Sequence, residues 1–124
     1  MNRPDPTNDA PSRHILVVDD DSTFRRFLVR AIRTLGHTTS DVEGREEMET
    51  ALKATPLPDI VFLDWNLAHG TAHEMYASLR RRGVPVVVVT GDPMAIHDEV
   101  EDILAKPFQL NTLRSLLESG RGAP

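Results

Sequence analysis

Four consecutive apolar residues, Ile60 to Leu63, end abruptly at a carboxylate, Asp64, and this run restricts the possible folds strongly. A short apolar run rich in β-branched and aromatic residues, preceded by Pro58 and Asp59, is typical of a strand buried on both faces of a parallel sheet. Open parallel sheets bind ligands at the carboxyl ends of their strands. Asp64 is therefore a candidate reactive residue, although an aspartate here could also simply cap a turn.

The composition fits one ordinary globular domain. Of the 124 residues, 40% are hydrophobic and 27% are charged, which supplies a sizeable core but leaves little chain for a second domain. Residues 1–12 carry three prolines among polar residues and are predicted to form a disordered leader. The folded domain is predicted over residues 13–119, and residues 120–124 are predicted to be a tail.

Charge and residue usage disfavour several classes of protein. The net charge of -5 argues against a dedicated nucleic-acid binder, because phosphate contacts need a clustered basic surface. The absence of cysteine excludes disulfides and thiolate chemistry, and it is compatible with a reducing cytoplasm. No stretch approaches the roughly 20 apolar residues of a membrane span. We therefore expect a cytoplasmic protein that binds neither nucleic acid nor a membrane.

Apolar patterns along the rest of the chain predict strands alternating with helices. Strands are predicted at 14–18, 37–42, 60–63, 84–89 and 102–105, and helices at 22–35, 44–54, 71–82 and 110–117. Ser22 or Thr23 is predicted to cap the first helix and Gly36 to end it. Short loops between alternating elements imply right-handed crossovers and an α/β fold with a doubly wound parallel sheet, in the flavodoxin-like order 2-1-3-4-5.

This strand order brings polar residues from four strand ends to one edge of the sheet. Strands one and three become neighbours, so Asp19 and Asp20 are expected beside Asp64. Thr90 ends the fourth strand, and Lys106 follows the fifth. We name this set of three carboxylates, one hydroxyl and one ammonium the acidic crevice.

The residue types of the acidic crevice suit phosphoryl chemistry. Clustered carboxylates raise one another's pKa unless a cation lies among them, and a set of oxygen ligands suits Mg²⁺. A metal ion together with Lys106 and Thr90 would stabilise the charge on a phosphoryl group in transfer. Asp64 would then be the nucleophile and would form an acyl phosphate.

Four short motifs carry a resemblance to a known family. They are Val17-Val18-Asp19-Asp20, Asp64-Trp65-Asn66, Thr90-Gly91 and Lys106-Pro107-Phe108. In this order the chain resembles, over roughly residues 14 to 118, the receiver domain of two-component response regulators. The resemblance implies that Asp64 accepts a phosphoryl group from a histidine kinase or histidine phosphotransfer protein, and that the domain then switches an interaction with a downstream protein. It also implies that Thr90 and Lys106 each bond a phosphoryl oxygen.

The resemblance also implies a metal site and a control of hydrolysis. Asp20, Asp64 and the backbone carbonyl of Asn66 would bind Mg²⁺, with Asp19 acting nearby or through water. Asn66 and Asp92 would influence the rate at which the acyl phosphate hydrolyses. Such a protein catalyses its own phosphorylation and dephosphorylation and is not a turnover enzyme on an external substrate.

The chain departs from the family pattern at three places. Ala68 stands where the family usually has proline, and Ile103 stands where it often has an aromatic switch residue. Only fifteen residues separate Thr90 from Lys106. These departures predict a truncated or irregular fourth helix and an aromatic switch that is absent or relocated. The resemblance further suggests a cis peptide bond before Pro107.

Two other functions are compatible with the sequence. The segment from Ile15 to Thr23 also resembles the DxDxT opening of haloacid dehalogenase-like phosphatases, in which Asp19 would be the nucleophile and Asp21 the acid/base. That alternative leaves Asp64 without a role. The other alternative is a degenerate receiver that binds partners without being phosphorylated. Asp64→Asn would abolish phosphoryl acceptance by a receiver, whereas Asp19→Asn would abolish turnover by a phosphatase.

Overall fold

The structure, a computed structural model, describes residues 12–54, 56–67, 71–96 and 100–119. Apart from Ser12, the predicted leader and tail lie outside the described residues, as does Ala68. The strands are β1 (His14–Val18), β2 (Thr38–Val42), β3 (Ile60–Asp64), β4 (Val86–Thr90) and β5 (Asp102–Ala105). The α-helices are α1 (Ser22–Thr34), α2 (Arg45–Ala54), α3 (Ala72–Arg81) and α4 (Leu110–Ser119).

The five strands form one parallel sheet in the order β2-β1-β3-β4-β5, which confirms the predicted topology. The register aligns the carboxyl ends of the strands. Val18 lies opposite Leu63, so that Asp19 and Asp64 each follow a paired residue at the same level of the sheet. Thr90 lies opposite Ala105, the residue before Lys106. The candidate residues therefore come from one edge of the sheet.

The core has two layers, one on each face of the sheet, because successive strand residues point to opposite sides. Phe62 faces the layer formed with α1 and α4, whereas Val61 and Leu63 face the layer formed with α2 and α3. All five residues of β3 are buried, as the apolar run predicted. Burial on both faces explains why this strand contains no polar residue before its last position.

Several element boundaries differ by one or two residues from the sequence prediction, and two of these differences have a clear physical cause. The predicted cap of the first helix was wrong: Ser22 and Thr23 are already helical, and the N-cap is Asp21. The Asp21 carboxylate accepts hydrogen bonds from the backbone N–H groups of Thr23 (3.1 Å) and Phe24 (3.2 Å), an arrangement that aspartate favours at least as strongly as serine or threonine. The fourth strand begins at Val86, after a proline that has no N–H for a ladder hydrogen bond.

The segment between β4 and β5 is irregular in its described part. After Thr90 the backbone forms a single 3-10 turn, Pro93–Ala95, and residues 97–99 are outside the described residues. Met94 in this turn is exposed. Where the structure describes this segment, it therefore agrees with the predicted truncated or irregular helix between the fourth and fifth strands.

His37 should make folding stability depend on pH. Its ring Nδ1 accepts a hydrogen bond from the backbone N–H of Arg13 at 3.0 Å. Partial burial lowers the pKa of His37 below its ordinary value, and the charge of Arg13 acts in the same direction. In the unfolded chain the His37 ring becomes protonated below about pH 6.5, whereas in the folded chain it becomes protonated only at a lower pH. Stability from this group is therefore complete above about pH 6.5 and declines as the pH falls towards the lowered pKa.

Urea unfolding of the native chain and of His37→Asn, at about pH 7.5 and about pH 5.5, measures this effect. Asparagine keeps an acceptor oxygen but does not titrate. The native chain should lose more stability on acidification than the variant. Burial raises the pKa of Asp19 to about 6, which stabilises the folded state as the pH falls, but this contribution is common to both chains. Parallel losses in the two chains would show that His37 is not responsible.

Candidate functional site

The first side of the acidic crevice is the loop between β1 and α1. Asp19 is 1% exposed, and its backbone N–H donates to the carbonyl of Val42 at 3.1 Å, which joins the loop to the end of β2. One carboxylate oxygen, Oδ1, accepts from the N–H of Asp21 at 2.9 Å. The Asp19 carboxylate is therefore oriented by the backbone that starts α1.

Arg25 connects this loop to the neighbouring edge strand. Its Nη1 donates to the backbone carbonyl of Asp19 at 2.7 Å, and its Nε donates to Oδ2 of Asp41 at 2.9 Å. The guanidinium also lies 3.9 Å from Glu43, and the arginine side chain is only 15% exposed. Arg25 could not be singled out from the sequence, because its partners become neighbours only once β2 pairs with β1.

The second side is the end of β3. Asp64 is the last residue of that strand and is 3% exposed. Its Oδ1 accepts from the backbone N–H of Asn66 at 3.2 Å. The backbone N–H of the next residue, Trp65, donates to the carbonyl of Val89 at 2.9 Å, which extends the pairing of β3 with β4 past the aspartate. The Asp64 carboxylate is therefore fixed at the edge of the sheet formed by the carboxyl ends of the strands.

Lys106 supplies the ammonium group of the acidic crevice. Its Nζ lies 3.5 Å from Oδ2 of Asp19 and 3.6 Å from Oδ1 of Asp64. Its backbone N–H donates to the carbonyl of Thr90 at 2.8 Å, so the loop after β5 remains attached to β4. The peptide bond between Lys106 and Pro107 is cis, as the resemblance to receiver domains suggested.

Thr90 and Asn66 belong to the same edge but differ in their surroundings. Thr90 is buried, and its hydroxyl oxygen accepts from the N–H of Asp92 at 3.0 Å. Asn66 and Asp92 are both exposed, at the ends of β3 and β4 respectively. Strand register thus brings Thr90 to the crevice. The metal-binding role of the Asn66 carbonyl stays a prediction.

The crevice is short of positive charge. Burial and, to a smaller extent, the negative charge of Asp64 raise the pKa of Asp19 to about 6, against the lowering effects of the Asp21 N–H and of Lys106. A single ammonium therefore does not compensate two buried carboxylates. A further cation would favour the ionised forms.

The donor set fits Mg²⁺. Asp19, Asp20 and Asp64 each offer a carboxylate oxygen, and these atoms lie within 4.8 Å of one another. Two of the three side chains are buried and Asp20 is exposed, so the group is open to solvent on one side. Oxygen ligands from one side and water on the other are what Mg²⁺ usually takes in proteins.

The chain belongs to the response regulator receiver domain family, whose sequence model matches residues 15–118. Receivers of this family are domains of two-component systems. The match includes every residue of the acidic crevice. It is a match to the receiver family rather than to a phosphatase family, and Asp21, the acid/base of the phosphatase alternative, acts here as a helix cap.

Curated relatives are similar over most of this chain. The KDP operon transcriptional regulatory protein KdpE of Escherichia coli (strain K12) is 32% identical over 113 residues, which are 84% of this chain and 49% of the relative. The regulatory protein VirG of Agrobacterium tumefaciens (strain 15955) is 25% identical over 108 residues, which are 81% of this chain and 40% of the relative. The chain thus spans less than half the length of these relatives.

Solved structures show the same fold. The PhyR stress response regulator superposes with a TM-score of 0.78 at 24% identity, covering 93% of this chain and 47% of the other. A CheY-like receiver domain from Methylobacillus flagellatus gives a TM-score of 0.78 at 21% identity, covering 88% and 98%. A receiver protein from Burkholderia phymatum gives 0.70 at 27% identity, covering 90% and 98%. Within the part of the chain that the structure describes, no helix is long and apolar enough to cross a membrane.

Proposed function

We propose that this chain accepts a phosphoryl group on Asp64, in a Mg²⁺-dependent reaction, from a histidine kinase or a histidine phosphotransfer protein. The observation that carries the proposal is the buried Asp64 carboxylate, with the Lys106 ammonium at 3.6 Å and carboxylate oxygens of Asp19 and Asp20 within 4.8 Å. A nucleophile, a cation and a set of metal ligands therefore meet at one point of the sheet edge.

In the proposed reaction, an oxygen of Asp64 attacks the phosphorus as the bond to the donor imidazole nitrogen breaks. The electron pair of that bond stays on the nitrogen, and the imidazole takes up a proton from solvent. The Lys106 ammonium pairs with one phosphoryl oxygen and the Thr90 hydroxyl donates to another. Bound Mg²⁺ would supply further neutralisation of the phosphoryl charge. Asp20, Asp64 and the Asn66 carbonyl are the proposed ligands, with Asp19 nearby or acting through water.

Hydrolysis of the acyl phosphate is proposed to depend on residues at the rim of the crevice. Asn66 and Asp92 are exposed and follow the strand ends that carry Asp64 and Thr90. Side chains in these places can admit or exclude an attacking water. The chain would thus catalyse its own phosphorylation and dephosphorylation, without turnover of an external substrate.

The proposed output is an altered interaction with a downstream protein, by a cytoplasmic domain of residues 13–119 that binds neither nucleic acid nor a membrane itself. Support for a protein target comes from a structural neighbour, PhyR of Bartonella quintana, which is described as an anti-anti-sigma factor and superposes with a TM-score of 0.78 at 15% identity. VirG and KdpE are described as regulatory proteins.

The proposal is tested by incubating the native chain with acetyl phosphate or phosphoramidate and Mg²⁺, followed by intact-mass measurement. We expect a gain of one phosphoryl group that is lost in alkaline hydroxylamine, as an acyl phosphate is, and that EDTA prevents. Titration with Mg²⁺ should change the fluorescence of Trp65, the single tryptophan, which adjoins Asp64. Mg²⁺ binding without any gain in mass would favour the phosphorylation-independent binding module.

A further inference from the structure

An aromatic ring lies directly beside the ammonium of the acidic crevice. The Nζ atom of Lys106 is 4.2 Å from the centroid of the Phe24 ring, within the range of a cation–π interaction. Phe24 is in the first turn of α1, half-buried, and packs against the core layer formed with α4. The lysine is therefore held between two carboxylates on one side and an aromatic face on the other.

Phe24 belongs to a closed cycle of contacts among four residues. Oδ1 of Asp19 accepts from the N–H of Asp21 at 2.9 Å, and the Asp21 carboxylate accepts from the N–H of Phe24 at 3.2 Å. The Phe24 ring then contacts the Lys106 ammonium, which returns to Oδ2 of Asp19 at 3.5 Å. The backbone that orients the Asp19 carboxylate thus also places the ring against the lysine.

We propose that Phe24 is a positioning residue for Lys106, an inference that rests on the proposed phosphoryl acceptance by Asp64. A lysine ammonium ends a flexible four-carbon stem and can readily turn towards solvent. The ring favours the conformations in which Nζ stays over the crevice, where it can pair with a phosphoryl oxygen. Phe24 acts through the lysine and need not touch the phosphoryl group.

Phe24 belongs to a group of three aromatic side chains that contact one another. Phe24 packs edge-on against Phe108, with centroids 6.1 Å apart and planes at 87°, and Phe27 lies 5.4 Å from Phe108. Phe27 is 59% exposed, so this group of three rings runs from the crevice to the surface. The aromatic side chain next to the reactive lysine therefore comes from α1, whereas β5 presents Ile103, the residue three before Lys106.

The proposal is tested by measuring the rate of Mg²⁺-dependent phosphorylation by phosphoramidate in Phe24→Leu and Phe24→Tyr. Leucine keeps the apolar contact but removes the aromatic face, and we expect a rate about 3- to 30-fold lower. Tyrosine keeps the face, so the rate should return to within about twofold of native. The Kd for Mg²⁺, followed by Trp65 fluorescence, should stay within about twofold in both variants, because the ring contacts the lysine rather than the proposed metal ligands.

Two comparisons separate positioning from packing. Phe27→Leu makes the same chemical change within the group of three rings, and it should leave the rate near native. In a Lys106→Met background, Phe24→Leu should slow the reaction no further, because the ring then has no ammonium to hold. Urea unfolding shows whether each variant is folded. If Phe24→Leu does not fold, Phe24→Met replaces it as a second apolar variant.

Several results would overturn the inference. One is a native rate in Phe24→Leu, or in Phe24→Met where that variant is used. Others are a Phe24→Tyr rate as low as that of Phe24→Leu, and an equal loss in the Lys106→Met background. A parallel loss of Mg²⁺ affinity would show that the site is merely loosened. Absence of phosphorylation in the native chain would reject the proposed function, and this inference with it, whereas a phosphorylated native chain with an unaffected Phe24→Leu rejects the inference alone.

Discussion

Asp64→Asn is expected to abolish phosphoryl uptake from phosphoramidate. An amide oxygen is a far weaker nucleophile than a carboxylate. Asp64 is the acid of the crevice that ends the central strand. The measurement is intact mass after incubation with Mg²⁺, alongside the native chain. Asp102→Asn is the matched control, because it makes the same chemical change at the first residue of β5, at the end of that strand away from the crevice. It should leave uptake intact.

The same substitution should not weaken the fold. The charge of Asp64 raises the pKa of buried Asp19, so its removal relieves a repulsion, while Lys106 keeps its ion pair with Asp19 at 3.5 Å. We expect the free energy of unfolding in urea to be unchanged or increased. Uptake of a hydroxylamine-labile phosphoryl group by Asp64→Asn would contradict the assignment. If Asp19→Asn then removed that uptake, the nucleophile would be Asp19.

Lys106→Met is expected to lower the phosphorylation rate by about 10²–10³-fold, the usual cost of removing one preorganised group that stabilises developing charge. Methionine keeps most of the length of the stem but removes the cation, which now lies 3.5 and 3.6 Å from carboxylate oxygens of Asp19 and Asp64. Single time courses of mass gain at saturating Mg²⁺ measure the effect. Acceptance should be slowed rather than abolished, because Asp64 remains.

The control for charge is Lys106→Arg, which keeps the cation in a larger, planar group. It should fall between the native chain and Lys106→Met. Loss of the ammonium should also raise the pKa of Asp19 further, because the charge of Lys106 now lowers it. A near-native rate in Lys106→Met would show that the ammonium does not contact the phosphoryl group in transfer.

Much of the fold follows from local patterns in the sequence. The central strand was predictable because all of its apolar residues are consecutive and the run ends at Asp64, a pattern that burial on both sheet faces requires. Alternation with helices then predicted the strand order, and the order brought Asp19, Asp20 and Lys106 to the same edge. The residues of the acidic crevice could therefore be predicted from the sequence, since the crevice depends on where strands end.

Boundaries inside polar stretches were harder to predict. Asp19, Asp20 and Asp21 are three consecutive acids, followed by two hydroxyl residues that could each have capped the helix. In the structure the cap is Asp21, whose backbone is extended and whose carboxylate accepts from the N–H groups of Thr23 and Phe24. Local propensity alone does not distinguish these residues.

The sequence by itself determined which residues meet at the edge of the sheet, because hydrophobic periodicity and strand order are properties of the chain. Only the tertiary structure decided how those residues are held. The hydrogen bond from Arg25 to Asp41 and the contact of Phe24 with Lys106 join segments that are distant in sequence. The raised pKa of Asp19 depends on burial. Such contacts depend on side-chain direction and on exclusion of water, which arise when the layers pack.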